Sequence, residues 1–226
     1  MEALQIHRPD GVALRGWLAR GSGPGPRPLA LYFGGNAEEV SWMLGERDRF
    51  GAWSLALVNY RGYGASEGHP REAALLDDAL AVYDHLVARA HVDRRRIVAI
   101  GRSLGSGVAT HLAAHRPLAG VVLVAPFDSI TAVGQRHYPF LPVRLIVGTR
   151  YDALAHAPRL RLPLRMITAE RDRIIPAEHS ARLFDAWGGP KHAVIVSGAG
   201  HNDLQERPAY WSAIGGFLAD RMRERP

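Results

Sequence analysis

Residues Ile97 to Ala114 constrain the chain more than any other stretch. Ile97-Val98-Ala99-Ile100 is a short apolar run rich in β-branched residues, which predicts a buried parallel strand. Val108-Ala109-Thr110-His111-Leu112-Ala113-Ala114 is made largely of good helix formers. Between them lies Gly101-Arg102-Ser103-Leu104-Gly105. A turn that takes a strand into a helix this sharply leaves no room for side chains two positions either side of its centre, which accounts for glycine at 101 and 105. It also holds Ser103 in a strained backbone conformation, with its hydroxyl projecting above the sheet. The amides that open the helix point at the same spot, where negative charge would be stabilised. A Gly-x-Ser-x-Gly pattern alone also describes an ordinary turn; the strand before it and the helix after it read as a nucleophile elbow.

The rest of the chain repeats the strand–helix rhythm. Residues 2–20 alternate about the turn Pro9-Asp10-Gly11 and predict an antiparallel pair. Further strands are expected at 29–33, 54–59, 121–125, 164–169 and 193–196. Helices are expected at 38–50, with acidic residues in the first turn, and at 70–89, 177–187 and 208–223. This order implies an α/β chain with a mostly parallel, doubly wound sheet and an antiparallel N-terminal hairpin. Its 226 residues suit one domain with an ample core. Residues 126–160 break the rhythm with Pro, Arg and aromatics, and read as a small cap-like insertion.

Composition narrows the chemistry. Cysteine is absent, which excludes disulfides, thiolate catalysis and Cys-ligated metals. The net charge of +6 is carried by scattered arginines; the one tight cluster, Arg94-Arg95-Arg96, is expected in a solvated loop before a strand, and no nucleic-acid partner is expected. No apolar run approaches the roughly 20 residues of a membrane span. Met1 to His7 lacks the basic start and apolar middle of a signal peptide, so a cytoplasmic protein without a membrane anchor is the expectation.

Ligands of open α/β sheets bind at the carboxyl ends of the strands. The residues just past those ends include Asn36, Tyr60, Ser103, Phe127-Asp128, Asp172 and His201. Ser103 needs a base to take its proton. His201, in the Gly-flanked loop after the last strand, is placed to be that base. Asp172 is placed to accept the imidazole's other N–H and fix its tautomer. Glu170 and Asp128 are rival acids; Glu170 lies too close to its strand end, and Asp128 reads better as a helix or turn cap for Ser129-Ile130. The backbone N–H groups of Leu104 and Asn36 are the expected oxyanion hole, with Gly34-Gly35 supplying bare backbone. Gly35, Tyr60, Phe127, Tyr138 and Phe140 are the expected substrate contacts, although Tyr138, Phe140 and Leu141 could equally form the insertion's own small core. His111 and His115 have the i, i+4 spacing of a metal-binding pair, but no third ligand is evident and no metal or other cofactor is expected.

These segments together resemble the α/β-hydrolase superfamily, and in particular its small-capped serine hydrolases of the Bem46/ABHD type. The matching pieces are Gly35-Asn36-Ala37, Asn59-Tyr60-Arg61-Gly62-Tyr63-Gly64, Gly101 to Gly107, Asp172-x-Ile174-Ile175-Pro176 and Gly200-His201-Asn202-Asp203. The resemblance implies the α/β-hydrolase fold and ester or thioester cleavage by Ser103, Asp172 and His201. It also implies that Tyr60-Arg61-Gly62-Tyr63-Gly64 shapes the pocket floor and the packing of its loops. Many relatives carry histidine where this chain has Gly34, so a contact between that ring and neighbouring loops is missing here. Two alternatives stay open: an aminopeptidase or amidase on the same triad, and a hydrolase-fold protein that binds without catalysing. The natural acyl group and the oligomeric state are not legible in these residues.

Overall fold

The alternation of the first twenty positions becomes a hairpin. β1 (Glu2–His7) pairs antiparallel with β2 (Ala13–Ala19), Leu4 opposite Gly16 and Ile6 opposite Leu14. These strands open an eight-stranded sheet in the order β1-β2-β4-β3-β5-β6-β7-β8. The computed structural model describes residues 1–138, 140 and 150–223. β3 (Arg27–Phe33), β4 (Ser54–Val58), β5 (Val92–Arg102), β6 (Gly120–Val124), β7 (Leu164–Ala169) and β8 (Lys191–Val196) run parallel to their neighbours; β2 meets β4 antiparallel.

Burial explains which apolar runs became central strands. Ile97 to Ile100 and Val121 to Val124 are fully shielded, because helices cover both faces. α1 (Glu72–Val87), α2 (Leu104–His115) and α5 (Ala177–Ala186) pack Leu75, Leu86, Val108, Leu112 and Leu183 on one face. A 3-10 helix (Val40–Phe50) and α6 (Pro208–Arg223) pack Met43, Phe50, Tyr210, Ile214 and Phe217 on the other. Each fully buried aliphatic side chain contributes about 1.5–3 kcal/mol. Among the described residues, no helix is long and apolar enough to cross a membrane.

The winding positions the site. From β3 the chain steps outward to β4, whereas from β5 it proceeds the other way through β6, β7 and β8. β3 and β5 are neighbours, with Phe33 opposite Gly101. The loop after β3 and the turn after β5 therefore meet at the point where the winding reverses, the place where such sheets form a crevice.

Two expectations need correction. The helix expected from residue 38 starts at Val40 and is 3-10, with no acid in its first turn. The reason lies in the two glutamates before it: Glu39 caps it by accepting from the Ser41 amide at 3.1 Å, and Glu38 folds back onto the Gly35 amide at 2.6 Å. Arg94-Arg95-Arg96 lies within β5, not in a loop before it, beside a register shift between Arg27 and Leu29 of β3. In the insertion, α3 (Ile130–His137) is capped by the Ser129 hydroxyl, which accepts from the Ala132 amide at 3.2 Å, so Asp128 is not the helix cap; it caps the turn, accepting from the Ser129 amide at 2.7 Å. A short helix, α4 (Ala153–His156), follows. Residues 139 and 141–149, Leu141 among them, lie outside the described residues.

Candidate active site

Ser103 is the single residue between β5 and α2, and it sits at φ +49°, ψ −115°. That is a left-handed conformation which L-residues adopt only under constraint. The constraint comes from both sides. A Cβ at Gly101 would lie 2.2 Å from the Gly105 carbonyl oxygen; one at Gly105 would lie 2.1 Å from the Phe33 carbonyl oxygen. Only glycine lets α2 start so close to the ends of β3 and β5. The Ser103 amide donates to Val124 O at 2.8 Å, which ties the turn to β6.

His201 arrives from the loop after β8. The Glu170 carboxylate, a rival for the acid's part, instead accepts from the Gly198 amide at 2.7 Å and the Ser197 hydroxyl at 3.0 Å, pinning this loop to the end of β7. The Arg171 amide donates to Ala199 O at 2.8 Å. These bonds bring the Asp172 and His201 loops together. Asp172 Oδ1 accepts from the amides of Ile174 (2.9 Å) and Ile175 (2.8 Å), which turns Oδ2 toward the imidazole. Asp172 Oδ2 lies 2.7 Å from His201 Nδ1, and His201 Nε2 lies 3.1 Å from Ser103 Oγ. A carboxylate only accepts, so Nδ1 carries the donated proton and the Nε2 lone pair faces the hydroxyl. Both side chains are buried.

On the opposite side lies the loop after β3. The Gly35 N–H is taken by Glu38 Oε2, leaving Asn36 as the next amide. The Asn36 side chain is held by the Tyr63 hydroxyl, which donates to Oδ1 at 2.8 Å. Leu104 is the first residue of α2, where amides have no partner within the helix. Tyr60 and Phe127, expected as substrate contacts, are core residues at 6% and 1% exposure. The Tyr60 hydroxyl donates to Gly34 O at 3.1 Å, so this ring supports the loop from beneath. Tyr138 and Phe140 are exposed.

Asp128 is buried away from the Ser103–His201 pair. Its oxygens meet His179 Nδ1, Arg182 Nε and the Ser129 amide, each at 2.7 Å, and so anchor α5 to the loop after β6. Burial opposes its charge, but His179, Arg182 and the amide together hold its carboxyl below the usual value. A cavity of about 580 Å³ opens beside it, lined by Ser129, Thr131, Arg150, Asp152 and Arg182 among others. His111 and His115 are joined by His156, with ring centroids 4.1–5.7 Å apart. Among the described residues no group of three such side chains is arranged to hold a metal ion.

Two residues of the site carried no signal in the sequence. Glu38 read as a helix-opening acid, and Arg102 as the unspecified position of the Gly-x-Ser motif. In the fold, Arg102 Nη1 donates to Glu38 Oε2 at 2.8 Å, with both side chains largely buried. Burial disfavours the Glu38 charge, but the Gly35 amide, the Tyr32 hydroxyl, Arg102 and Trp42 hold its pKa below the usual carboxylate value.

Residues 35–150 match the family described as serine aminopeptidase, S33. An uncharacterized protein of Mycobacterium tuberculosis is 38% identical over 219 residues, which cover 95% of this chain and 78% of that protein. The chain belongs to the α/β-hydrolase superfamily. Hydrolysis is the chemistry this membership supports. Protein bem46 of Schizosaccharomyces pombe is 27% identical over 231 residues, covering 97% of this chain and 77% of its own. Est1E from Butyrivibrio proteoclasticus, solved with ferulic acid bound, superposes with a TM-score of 0.82 at 17% identity, covering 98% of this chain and 100% of that one; this is a likeness of fold. The family match contains Asn36 and Ser103 but ends before Asp172 and His201.

Proposed function

We propose that this α/β hydrolase is a serine hydrolase that cleaves a carboxylic ester or thioester through an acyl-enzyme on Ser103. The observation that carries the reading is the relay Asp172–His201–Ser103, with contacts of 2.7 and 3.1 Å. In the proposed reaction Ser103 Oγ attacks the substrate carbonyl carbon while His201 Nε2 takes its proton. The oxyanion that forms is held by the N–H groups of Leu104 and Asn36. The tetrahedral intermediate collapses, the bond to the alcohol or thiol breaks, and His201 returns the proton to that leaving group. A water, deprotonated by His201, then attacks the acyl-enzyme and releases the acid and Ser103. Asp172 stays ionised and stabilises the imidazolium in both halves. These groups supply nucleophile, base and charge stabilisation, so no cofactor is called for.

The description of the matched family favours a second reading, an aminopeptidase or amidase on the same relay. An aminopeptidase would usually want an acidic anchor for the substrate's amino terminus or a large gating domain. The two acids that contact the site's loops are engaged, Glu38 by Arg102 and Asp172 by His201. A fluorophosphonate probe, short p-nitrophenyl esters and thioesters, and aminoacyl p-nitroanilides test the readings together. Labelling at Ser103 with ester or thioester turnover is the expected result. Turnover of the anilides alone would establish the peptidase reading, and absence of both labelling and turnover would leave a binding protein.

A further inference from the structure

The Glu38 carboxylate is surrounded by donors. The Tyr32 hydroxyl (2.7 Å) and Trp42 Nε1 (2.9 Å) donate to Oε1; the Gly35 amide (2.6 Å) and Arg102 Nη1 (2.8 Å) donate to Oε2. Arg102 reaches further: its Nη2 donates to the carbonyl oxygen of His201 at 3.3 Å and to Asn202 Oδ1 at 3.4 Å. One ion pair thus touches three chain segments that are far apart in sequence. Gly35 precedes Asn36 in the oxyanion loop, Arg102 precedes Ser103 at the elbow, and His201 carries the base. The side chains of Glu38 and Arg102 are only 9% and 14% exposed, so solvent and salt screen the pair weakly.

The same arrangement accounts for Gly34. A Cβ there would lie 2.9 Å from Val40 Cγ1 and 3.2 Å from Glu38 Cδ. Any side chain at position 34 would crowd Val40 and Glu38.

Resting on the serine-hydrolase reading, we infer that Glu38 and Arg102 are positioning residues that clasp the oxyanion loop, the elbow and the His201 loop in register. Neither touches the reacting atoms. Glu38 fixes the Gly35 amide and thereby the neighbouring Asn36 donor. Arg102 fixes the backbone of His201 relative to Ser103. Both effects matter in the transition state, when the oxyanion and the imidazolium form, more than in substrate binding. An ion pair that merely stabilised the fold would leave the chemical step of the folded enzyme intact.

The test compares full-length wild type with Glu38→Gln, Arg102→Met, Arg102→Lys and the double variant Glu38→Gln/Arg102→Met. An unrelated surface pair supplies the control, Asp84→Asn, which breaks the contact between Arg116 and Asp84 on α1. The readouts are kcat and KM on a p-nitrophenyl ester, the fluorophosphonate labelling rate, and Tm, with rates normalised to the fraction that finally labels. The expected result is a fall in kcat of about 10- to 100-fold for Glu38→Gln and Arg102→Met, with KM within about threefold and labelling slowed in parallel. Arg102→Lys recovers part of the loss, and the double variant is scarcely worse than either single one, because the two act as a unit. Asp84→Asn keeps wild-type kcat. Should Arg102→Met not fold, the isosteric Glu38→Gln carries the comparison. Single variants that lower Tm but keep kcat within twofold, or that change only KM, would overturn the clasp and leave the Ser103 reading standing. A wild type that neither labels nor turns over would overturn both.

Discussion

The guanidinium of Arg61 forks onto Asp78 of α1, Nε to Oδ2 at 2.6 Å and Nη2 to Oδ1 at 2.7 Å. Arg8 Nε adds a third contact to Asp78 at 2.8 Å. The pair is buried, and it joins the loop after β4 to α1 and to the turn after β1. Removing one partner of a buried pair strands the other's charge in a poor solvent, which is far more harmful than never having had the pair. Arg61 keeps Asp10 and Arg8 keeps Asp77 in Asp78→Ala, so a loss of about 3 kcal/mol, the lower end for a broken buried pair, is expected, read as a lowered urea midpoint at unchanged m-value. A double replacement of Arg61 and Asp78 by apolar residues of similar size should recover much of that loss. A midpoint for Asp78→Ala equal to wild type would refute this account.

Under the proposed mechanism, Ser103→Ala removes the nucleophile. It should abolish fluorophosphonate labelling and lower kcat by about 10⁵–10⁶-fold, with a wild-type fold by circular dichroism. Asp172→Asn leaves the geometry but offers an N–H to Nδ1 and favours the wrong tautomer; kcat should fall by about 10⁴-fold. Full turnover by Ser103→Ala would show that the nucleophile lies elsewhere.

Gly105 faces the carbonyl oxygens of Phe33 and Gly34, at 2.1 and 2.6 Å from where a Cβ would sit. Those atoms are backbone and cannot rotate away. Gly105→Ala should therefore destabilise the chain by about 3 kcal/mol or more, or yield insoluble protein. Gly215→Ala on α6, where a Cβ would meet open space, is the control that should remain neutral or slightly stabilising. Equal Tm values for the two variants would contradict the close packing of α2 on β3.

His111 lies against His115 and His156. Burial, then repulsion from those two rings, pushes its pKa down from the ordinary value to about 4, with Asp77 opposing. The unfolded chain therefore binds a proton near pH 6.5 that the folded chain refuses until about pH 4. The stabilisation is fully present above pH 6.5 and declines as pH falls toward 4. The ring is only partly buried, so solvent screening keeps the effect to about 1 kcal/mol or less. Tm measured from pH 7.5 to 4.5 should fall less steeply for His111→Gln than for wild type. Parallel curves would mean that the cluster does not resist protonation.

Much of the site was legible before the fold. Gly101, Ser103 and Gly105 are local in the chain, and a sharp strand-to-helix turn constrains residues only a few positions apart. Asp172 and His201 could be nominated because each follows a strand, and parallel strands deliver their carboxyl ends to one edge, where the two meet Ser103. What stayed illegible depends on partners distant in sequence. Asp128 reads locally as a cap, yet its charge faces His179 and Arg182 of α5. Tyr60 and Phe127 follow strands as pocket residues would, but their burial depends on what α1 and α2 place above them.

By itself, then, the order of residues determined the alternation of strands and helices, the strained serine and the chain order of serine, aspartate and histidine at strand ends. These follow from short-range sterics and the periodicity of burial. Only the tertiary structure decided that Glu38 and Arg102 meet beside the loop after β3, that a Cβ at Gly34 would crowd Val40 and Glu38, and that His156 joins His111 and His115. Such contacts are set by how packed layers bring remote side chains within a few ångströms, and no local pattern records that distance.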